Sequence, residues 1–413
     1  MSALARDTAA GTSLTISQEL STFALGLSHA QIPIAVRDRA KHLILDSVGI
    51  ALASTKYPYA SISFAALEQL GAGTSPVIGI GRRLALRDAV LMNGILIHGL
   101  DFDDTHSRGV IHATSSSFPC ALALAERDDQ SGKALLAAYV AAMEVATRLG
   151  SVAKGGFHQV GFHPTGLVGA FGCTLAAARL LGLDENRATM AQGIALSMAS
   201  GSLEFLQDGS WTKRMHPGWA AVAGITAARL AQYGFKAPTR PYEGKFGFFD
   251  THLQHPPAPI DLPAEFATLG SVWELAQTAV KPYPVCHFIH GCADAAIGLY
   301  DEIDSADIVR AEALLPRDTM PIVAEPQRKQ NPPRQRIRGQ VQCPVRRRHL
   351  PHEGRIRPRG PDARRAGGSG RPRPRRSHRL HDRPGFCLPH LLFGWRPPLS
   401  TRRPHPLSSC PRQ

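Results

Sequence analysis

The sequence predicts a mainly α protein, with a large all-helical domain over residues 1–262 and a smaller α+β domain over residues 263–325. Three observations carry this. Apolar residues recur at spacings of three and four from Leu14 to Tyr233, the period of one buried helix face after another. No stretch alternates apolar and polar residues with period two before about residue 268. A proline-rich joint at Pro256–Pro263 then separates the two regimes.

Residues 14–27 (LTISQELSTFALGL) and Ile32–Ser54 carry the first two helical patterns. Tyr57–Leu70 and Leu86–Ile97 follow, the second with Met, Leu and Ile over a wide face. Ser115–Glu126 and Gly132–Leu149 come next, and the alanine content of the latter suits close packing on its neighbours. His163–Leu181 interleaves Gly and Ala with Leu and Val. Asp184 is placed to cap ENRATMAQGIALSMAS, and His216–Tyr233, opening at Pro217, completes the set. Beyond the joint, VWELAQTAVKPYPV reads as a strand entering a turn, His287–Tyr300 as a helix, and ADIVRAEALLP as a second strand.

The formal charge of +14 conceals two regimes. Residues 326–413 hold 23 Lys+Arg, one of them lysine, against 3 Asp+Glu, a net of +20; residues 1–325 carry a net of −6. The tail also holds 16 of the 32 prolines and has no apolar periodicity. An Arg-rich arm for nucleic acid or an acidic partner would have this charge, and so would a solvated extension. Arg/Pro/Gly/Ala-rich, nearly Lys-free sequence is also what a GC-rich gene encodes out of frame. The abrupt onset inside an unfinished domain favours this last reading, a frameshift near residue 325 that truncates the second domain; nucleic acid is not the expected partner. No apolar run is long enough to span a bilayer, and MSALARDTAAGTS lacks the apolar core of a secretory signal. The seven cysteines form neither a CxxC pair nor a zinc spacing. The expectation is a cytoplasmic protein that touches no membrane.

Chemistry concentrates in LDFDDTHSRGVIHATSSS, residues 100–117. Asp101, Asp103, Asp104, His106 and His112 follow an apolar helix directly, and Asp with His can relay protons, bind a cation or orient one another. Asp103 or Asp104 could instead merely cap the next helix. Ser115, Ser116 and Ser117 stand at an expected helix start, where free N–H groups and hydroxyls suit a carboxylate or phosphate. In GFHPTG, His163 precedes a proline-opened helix, a position that favours the neutral ring. In GSWTKRMHPGWAA, Lys213, Arg214 and His216 gather before Pro217, two cations and a helix start that would receive a polycarboxylate. KPYPVCHFIHG offers Lys281, Cys286, His287 and His290, too few matching ligands for a metal and no support for Cys286 as a nucleophile. DFDD alone would also fit Mg²⁺–diphosphate chemistry, but nothing else in the chain supports that.

LDFDDTH with HATSSS, GFHPTGLVGAFG, TKRMHPGWAAVAG with YEGKFGFF, and KPYPVCHFIH, in this order over residues 15–325, resemble the MmgE/PrpD family. Its members include 2-methylcitrate dehydratases, cis-aconitate decarboxylase and iminodisuccinate epimerase. The resemblance implies a helical domain with an α+β lid, a homodimer, and catalysis without metal or organic cofactor. It implies catalytic roles for Asp101, His112, His163 and Lys213, and substrate contacts from Ser115, Ser116, His216, Lys281 and Cys286. Cys286 stands where cis-aconitate decarboxylase has a histidine, which counts against the decarboxylase; decarboxylation or epimerisation of a related polycarboxylate is the alternative. The expected activity is therefore elimination of water from a small di- or tricarboxylic acid, with lysines on the carboxylates, His112 and His163 exchanging protons, and Asp101 orienting an imidazole.

Overall fold

The computed structural model describes residues 14–253, 259–300, 302–303 and 313–324. The chain is mainly α and divides into two compact units, Met1–Pro284 and Val285–Gln413. The first unit contains α1 (Ile16–Gly26), α2 (Ile34–Ser54), α3 (Pro58–Glu68), the strands β1 (Ser75–Val77) and β2 (Ile80–Leu84), α4 (Leu86–His98), β3 (Thr105–His106), α5 (Thr114–Arg127), α6 (Gly132–Val152), α7 (Gly156–Gln159), α8 (Pro164–Leu180), α9 (Glu185–Leu196), α10 (Phe205–Asp208), α11 (Thr212–Gln232), α12 (Phe248–Leu253), α13 (Leu262–Phe266) and β4 (Thr278–Ala279). The second contains α14 (His290–Gly298) and α15 (Met320–Val323), each preceded by a turn of 3₁₀ helix.

Local chemistry explains the helix starts. Thr15 and Gln18 form a reciprocal capping box on α1, and Ser131 and Asp184 accept N–H groups at the starts of α6 and α9. Pro164 sits in the first turn of α8, where its missing N–H costs nothing. α11 begins four residues earlier than the sequence suggested, so Lys213 and His216 are helical and Pro217 lies inside the helix. The hairpin β1–β2 was not expected either: its strands are too short to show alternation, and Gly79 at φ +72° makes the turn. α6 is long and apolar enough to cross a bilayer by length and composition, more so than the sequence reading allowed; nearly all of its apolar stretch is buried inside the fold.

α8 is the central helix, packed on α5, α6, α9 and α11, while α11 also packs on α4. Glycines set the closeness. A Cβ on Gly94 of α4 would lie 2.3 Å from the Gly218 Cα of α11, and one on Gly218 would lie 2.4 Å from the Leu91 carbonyl oxygen. The two backbones therefore touch one turn away from His98 on α4 and one turn from Arg214 on α11.

The unit boundary at Pro284 lies beyond the one expected at residue 262, because the segment after α13 is bolted to α6. Arg148, fully buried, donates to the carbonyls of Glu265 (2.6 Å) and Val272 (2.7 Å) and to Thr268 Oγ1 (2.8 Å). Glu144 accepts from the N–H groups of Glu274 (3.1 Å) and Leu275 (2.9 Å). These bonds draw Glu274–Gln277 into a 3₁₀ turn, so the expected strand shrinks to β4, which pairs antiparallel with β3. The second expected strand falls mostly, and the Arg-rich tail with its proposed frame loss falls wholly, outside the described residues.

The Gly94–Gly218 contact gives a test. Gly94→Ala drives a methyl into backbone, and overpacking of a filled core costs about 1–3 kcal/mol. Thermal unfolding should shift down by several degrees, whereas Gly132→Ala, with nothing within 4 Å of its Cβ, should leave it unchanged.

Candidate active site

The loop after α4 turns back at Asp101, which adopts φ +53°, a left-handed conformation that Asp tolerates better than most side chains. The turn aims its carboxylate at two ammonium groups. Oδ1 accepts from Lys213 Nζ at 2.9 Å and Lys281 Nζ at 3.0 Å, and Lys281 also bonds the Asp101 carbonyl at 2.9 Å. All three side chains are buried. Burial pushes the Asp101 carboxyl up, but Lys213 and Lys281 outweigh it and hold the group well below the usual carboxylate range. The sequence reading gave Asp101 to an imidazole; it is instead the shared counter-ion of two lysines.

Imidazole orientation falls to Asp103 and to a backbone carbonyl. His98 Nδ1 lies 2.7 Å from Asp103 Oδ2. Burial raises the Asp103 carboxyl, and the opposing field of His98 and His112 brings it down to about 2. His112 Nδ1 lies 2.7 Å from the Asp104 carbonyl oxygen, which can only accept, so this ring carries its proton on Nδ1 and its lone pair on Nε2. The backbone N–H of His112 donates to Thr165 Oγ1 at 3.1 Å, tying the chain at this residue to the first turn of α8. Burial first, then Lys281, holds the His112 ring well below its ordinary value. His163 and His216 face each other through Nδ1 at 3.1 Å. Burial dominates both rings, lowering His163 well below the usual histidine value and His216 to about 4. The rings of His98, His112 and His163 lie 5.2 to 6.4 Å apart between centroids.

Asp104, adjacent in sequence to Asp103, behaves oppositely. Burial and the neighbouring Asp103 carboxylate raise it to about 8. Thr114 donates to its Oδ2 at 2.8 Å, and the Tyr139 hydroxyl lies 2.7 Å from Thr114 Oγ1. Neither aspartate caps α5, whose N-cap is Ala113.

The structure thus brings Asp101, His112, His163, Lys213, His216 and Lys281 together. The serines stand differently. α5 begins at Thr114, so Ser115 and Ser116 lie in its first turn and donate back to the carbonyls of His112 (2.6 Å) and Ala113 (3.1 Å). Ser116 also faces α8, where a Cβ on Gly169 would lie 2.8 Å from its hydroxyl. Their hydroxyls thus close the helix start. Cys286 opens the second unit, as N-cap of the 3₁₀ turn His287–Ile289. His98 escaped the sequence reading; its signal was a histidine in the last turn of a helix, five residues ahead of Asp103. Among the described residues no group of three or more His, Cys, Asp or Glu could hold a metal ion.

The model of the MmgE/PrpD N-terminal domain matches residues 18–261. The chain belongs to the MmgE/PrpD family. A cis-aconitate decarboxylase of Aspergillus terreus is 31% identical over 297 residues, covering 68% of this chain and 59% of its own length. The Homo sapiens cis-aconitate decarboxylase is 30% identical over 314 residues, covering 74% of this chain and 62% of its own. The Aspergillus oryzae protein oryM, described as cis-aconitate decarboxylase-like, is 29% identical over 292 residues, covering 68% of this chain and 60% of its own. The chain therefore spans about 60% of the length of these curated relatives.

Asp104 supplies a pH test with a definite sign. Its folded value near 8 stands above the ordinary aspartate value of 3.8, so the folded state holds a proton that the unfolded state releases. Its contribution is neutral below pH 4, and stability is lost as pH rises from about 4 to 8. Asp104→Asn removes the titration. In urea unfolding at pH 5 and pH 8, the stability of the variant relative to wild type should rise with pH by on the order of 1 kcal/mol or more.

Proposed function

We propose that this protein is a lyase for a small tricarboxylic acid, and that its reaction is release of CO2 from an unsaturated substrate of the cis-aconitate type. The observation that carries the reading is the buried pair Lys213 and Lys281 converging on Asp101 beside four imidazoles. Loss of carboxylate leaves an electron pair on carbon, and chemistry of that kind needs positive charge on a neighbouring carboxylate and a proton donor in reach. Lys213 and Lys281 supply the charge, and both are buried, where it acts strongly.

His112 is the proton-transfer group in this reading. Its tautomer is fixed by the Asp104 carbonyl, and Nε2 is the nitrogen that exchanges protons. In the ligand-free protein burial and Lys281 keep the ring neutral. A tricarboxylate at the lysines reverses the local field and raises the ring, so binding brings a proton with it. His163 and His216 complete the polar wall as a bonded neutral pair.

A second reading, elimination of water from a 2-methylcitrate-like hydroxy acid, draws on the same residues and is favoured by Cys286, which replaces a histidine of the decarboxylases according to the family resemblance. Catalysis without a cofactor, a homodimer and a cytoplasmic setting accompany both readings as proposals.

The assay uses the full chain with cis-aconitate and, separately, 2-methylcitrate, scoring CO2 release and alkene formation. CO2 from cis-aconitate supports the decarboxylase reading, and alkene from the hydroxy acid alone supports the second. In either case His112→Ala and Lys213→Ala should each lower kcat/KM by about 10²-fold or more. Turnover within threefold of wild type in both variants would sink the assignment.

A further inference from the structure

His98 has no assigned role in the reading above, yet it stands in the imidazole cluster. It occupies the last turn of α4 and is fully buried. Because Asp103 is held as a carboxylate, the 2.7 Å contact is an N–H donated from His98 Nδ1 to Asp103 Oδ2. Its other nitrogen, Nε2, is shut off from solvent and has no hydrogen-bond partner among the described residues. The ring stacks on His163 at 5.4 Å and tilts against His112 at 5.2 Å. A histidine serving packing alone would be expected to have both buried nitrogens satisfied. Here one nitrogen is fixed by an anion and the other is buried beside two imidazoles with no hydrogen-bond partner among the described residues, the state of an imidazole open to a ligand atom.

We propose that His98 is a catalytic residue that exchanges a proton with the substrate through Nε2, with Asp103 as its positioning residue. The inference rests on the lyase reading and deepens it, giving the site a second proton-transfer group beside His112. In a decarboxylation, the bond to the departing carboxylate breaks, CO2 leaves, and the electron pair stays on the carbon skeleton, spread onto a carboxylate held by the lysines. That pair takes the proton from Nε2 of the His98 imidazolium, forming a C–H bond and leaving the ring neutral, and the proton that binding brings to His112 recharges it. Solvent restores the proton to the histidine pair, so one proton is consumed for each CO2 released. In a dehydration, His112 Nε2 takes the α-proton while His98 Nε2 delivers one to the departing hydroxyl, and no net proton is consumed. Asp103 keeps its charge throughout and fixes the tautomer.

The test is nitrogen-15 NMR of the full chain labelled at histidine, with and without saturating citrate. The His98 signal is identified by its loss in His98→Gln and by its displacement in Asp103→Asn, so one variant assigns it if the other does not fold. His98 should show a protonated Nδ1 and a bare Nε2 without ligand, and Nε2 should shift to a protonated value with citrate. In turnover, His98→Gln should lower kcat by about 10²-fold or more with KM within threefold. Asp103→Asn should lower kcat and move His98 towards the other tautomer. The proposal is overturned if His112 and His163 respond to citrate while His98 does not, or if His98→Gln keeps kcat within threefold of wild type. If no histidine responds to citrate, the lyase reading itself fails and the proposal falls with it.

Discussion

Two ammonium groups on one carboxylate oxygen set the terms for the rest of the molecule. A buried cation without a partner carries a desolvation penalty of several kcal/mol, and here Lys213 and Lys281 are buried together around Asp101. The three groups come from the loop after α4, the first turn of α11 and the segment after β4. All three elements must be held within a bond length, or the charges are left unpaired. Gly94 against Gly218 fixes α11 on α4. Arg148 and Glu144 fix the segment that carries Lys281 onto α6. Asp101 accepts a left-handed backbone to reach both partners, a strain of about 1–3 kcal/mol that persists only where surroundings impose it.

The same burial divides two adjacent carboxylates. Asp103 faces imidazoles and is held as an anion, while Asp104 faces Thr114, whose hydroxyl meets that of Tyr139, and is held as an acid near neutral pH. Residue type does not distinguish them; their neighbours do. The charged one can orient a ring by accepting its N–H. The neutral one can sit beside it without adding repulsion, and the backbone carbonyl of Asp104 orients His112. Two neighbouring positions thus fix two rings by different chemistry.

Much of this was legible in the sequence. The helical period located the long helices of the first unit to within a few residues because most bury one apolar face, and the Asp, His and Lys motifs marked the groups that meet. What escaped was set by partners distant in sequence. Asp101 reads as an orienter of histidine until Lys213 and Lys281 arrive from 112 and 180 residues away. Ser115 and Ser116 read as the helix start until Thr114 is seen to open it, with their hydroxyls bonded back to the carbonyls of His112 and Ala113. The strand expected at VWELAQTAV became a 3₁₀ turn because Glu144, 130 residues earlier in the chain, takes its N–H groups. No local pattern carries such information.

The joint illustrates the difference between a change of composition and a physical boundary. Prolines mark residues 256–263, and the match to the family's N-terminal domain ends at residue 261. Contacts do not end there. Between residues 263 and 284 the chain surrenders backbone carbonyls to Arg148, N–H groups to Glu144 and the Lys281 side chain to Asp101. Cutting at the prolines would leave Arg148 and Glu144 buried without their acceptors and donors, and Asp101 with a single ammonium. Unsatisfied buried charges are the costliest defects a core can hold, so the helical unit has to extend through Lys281 to close its own electrostatics.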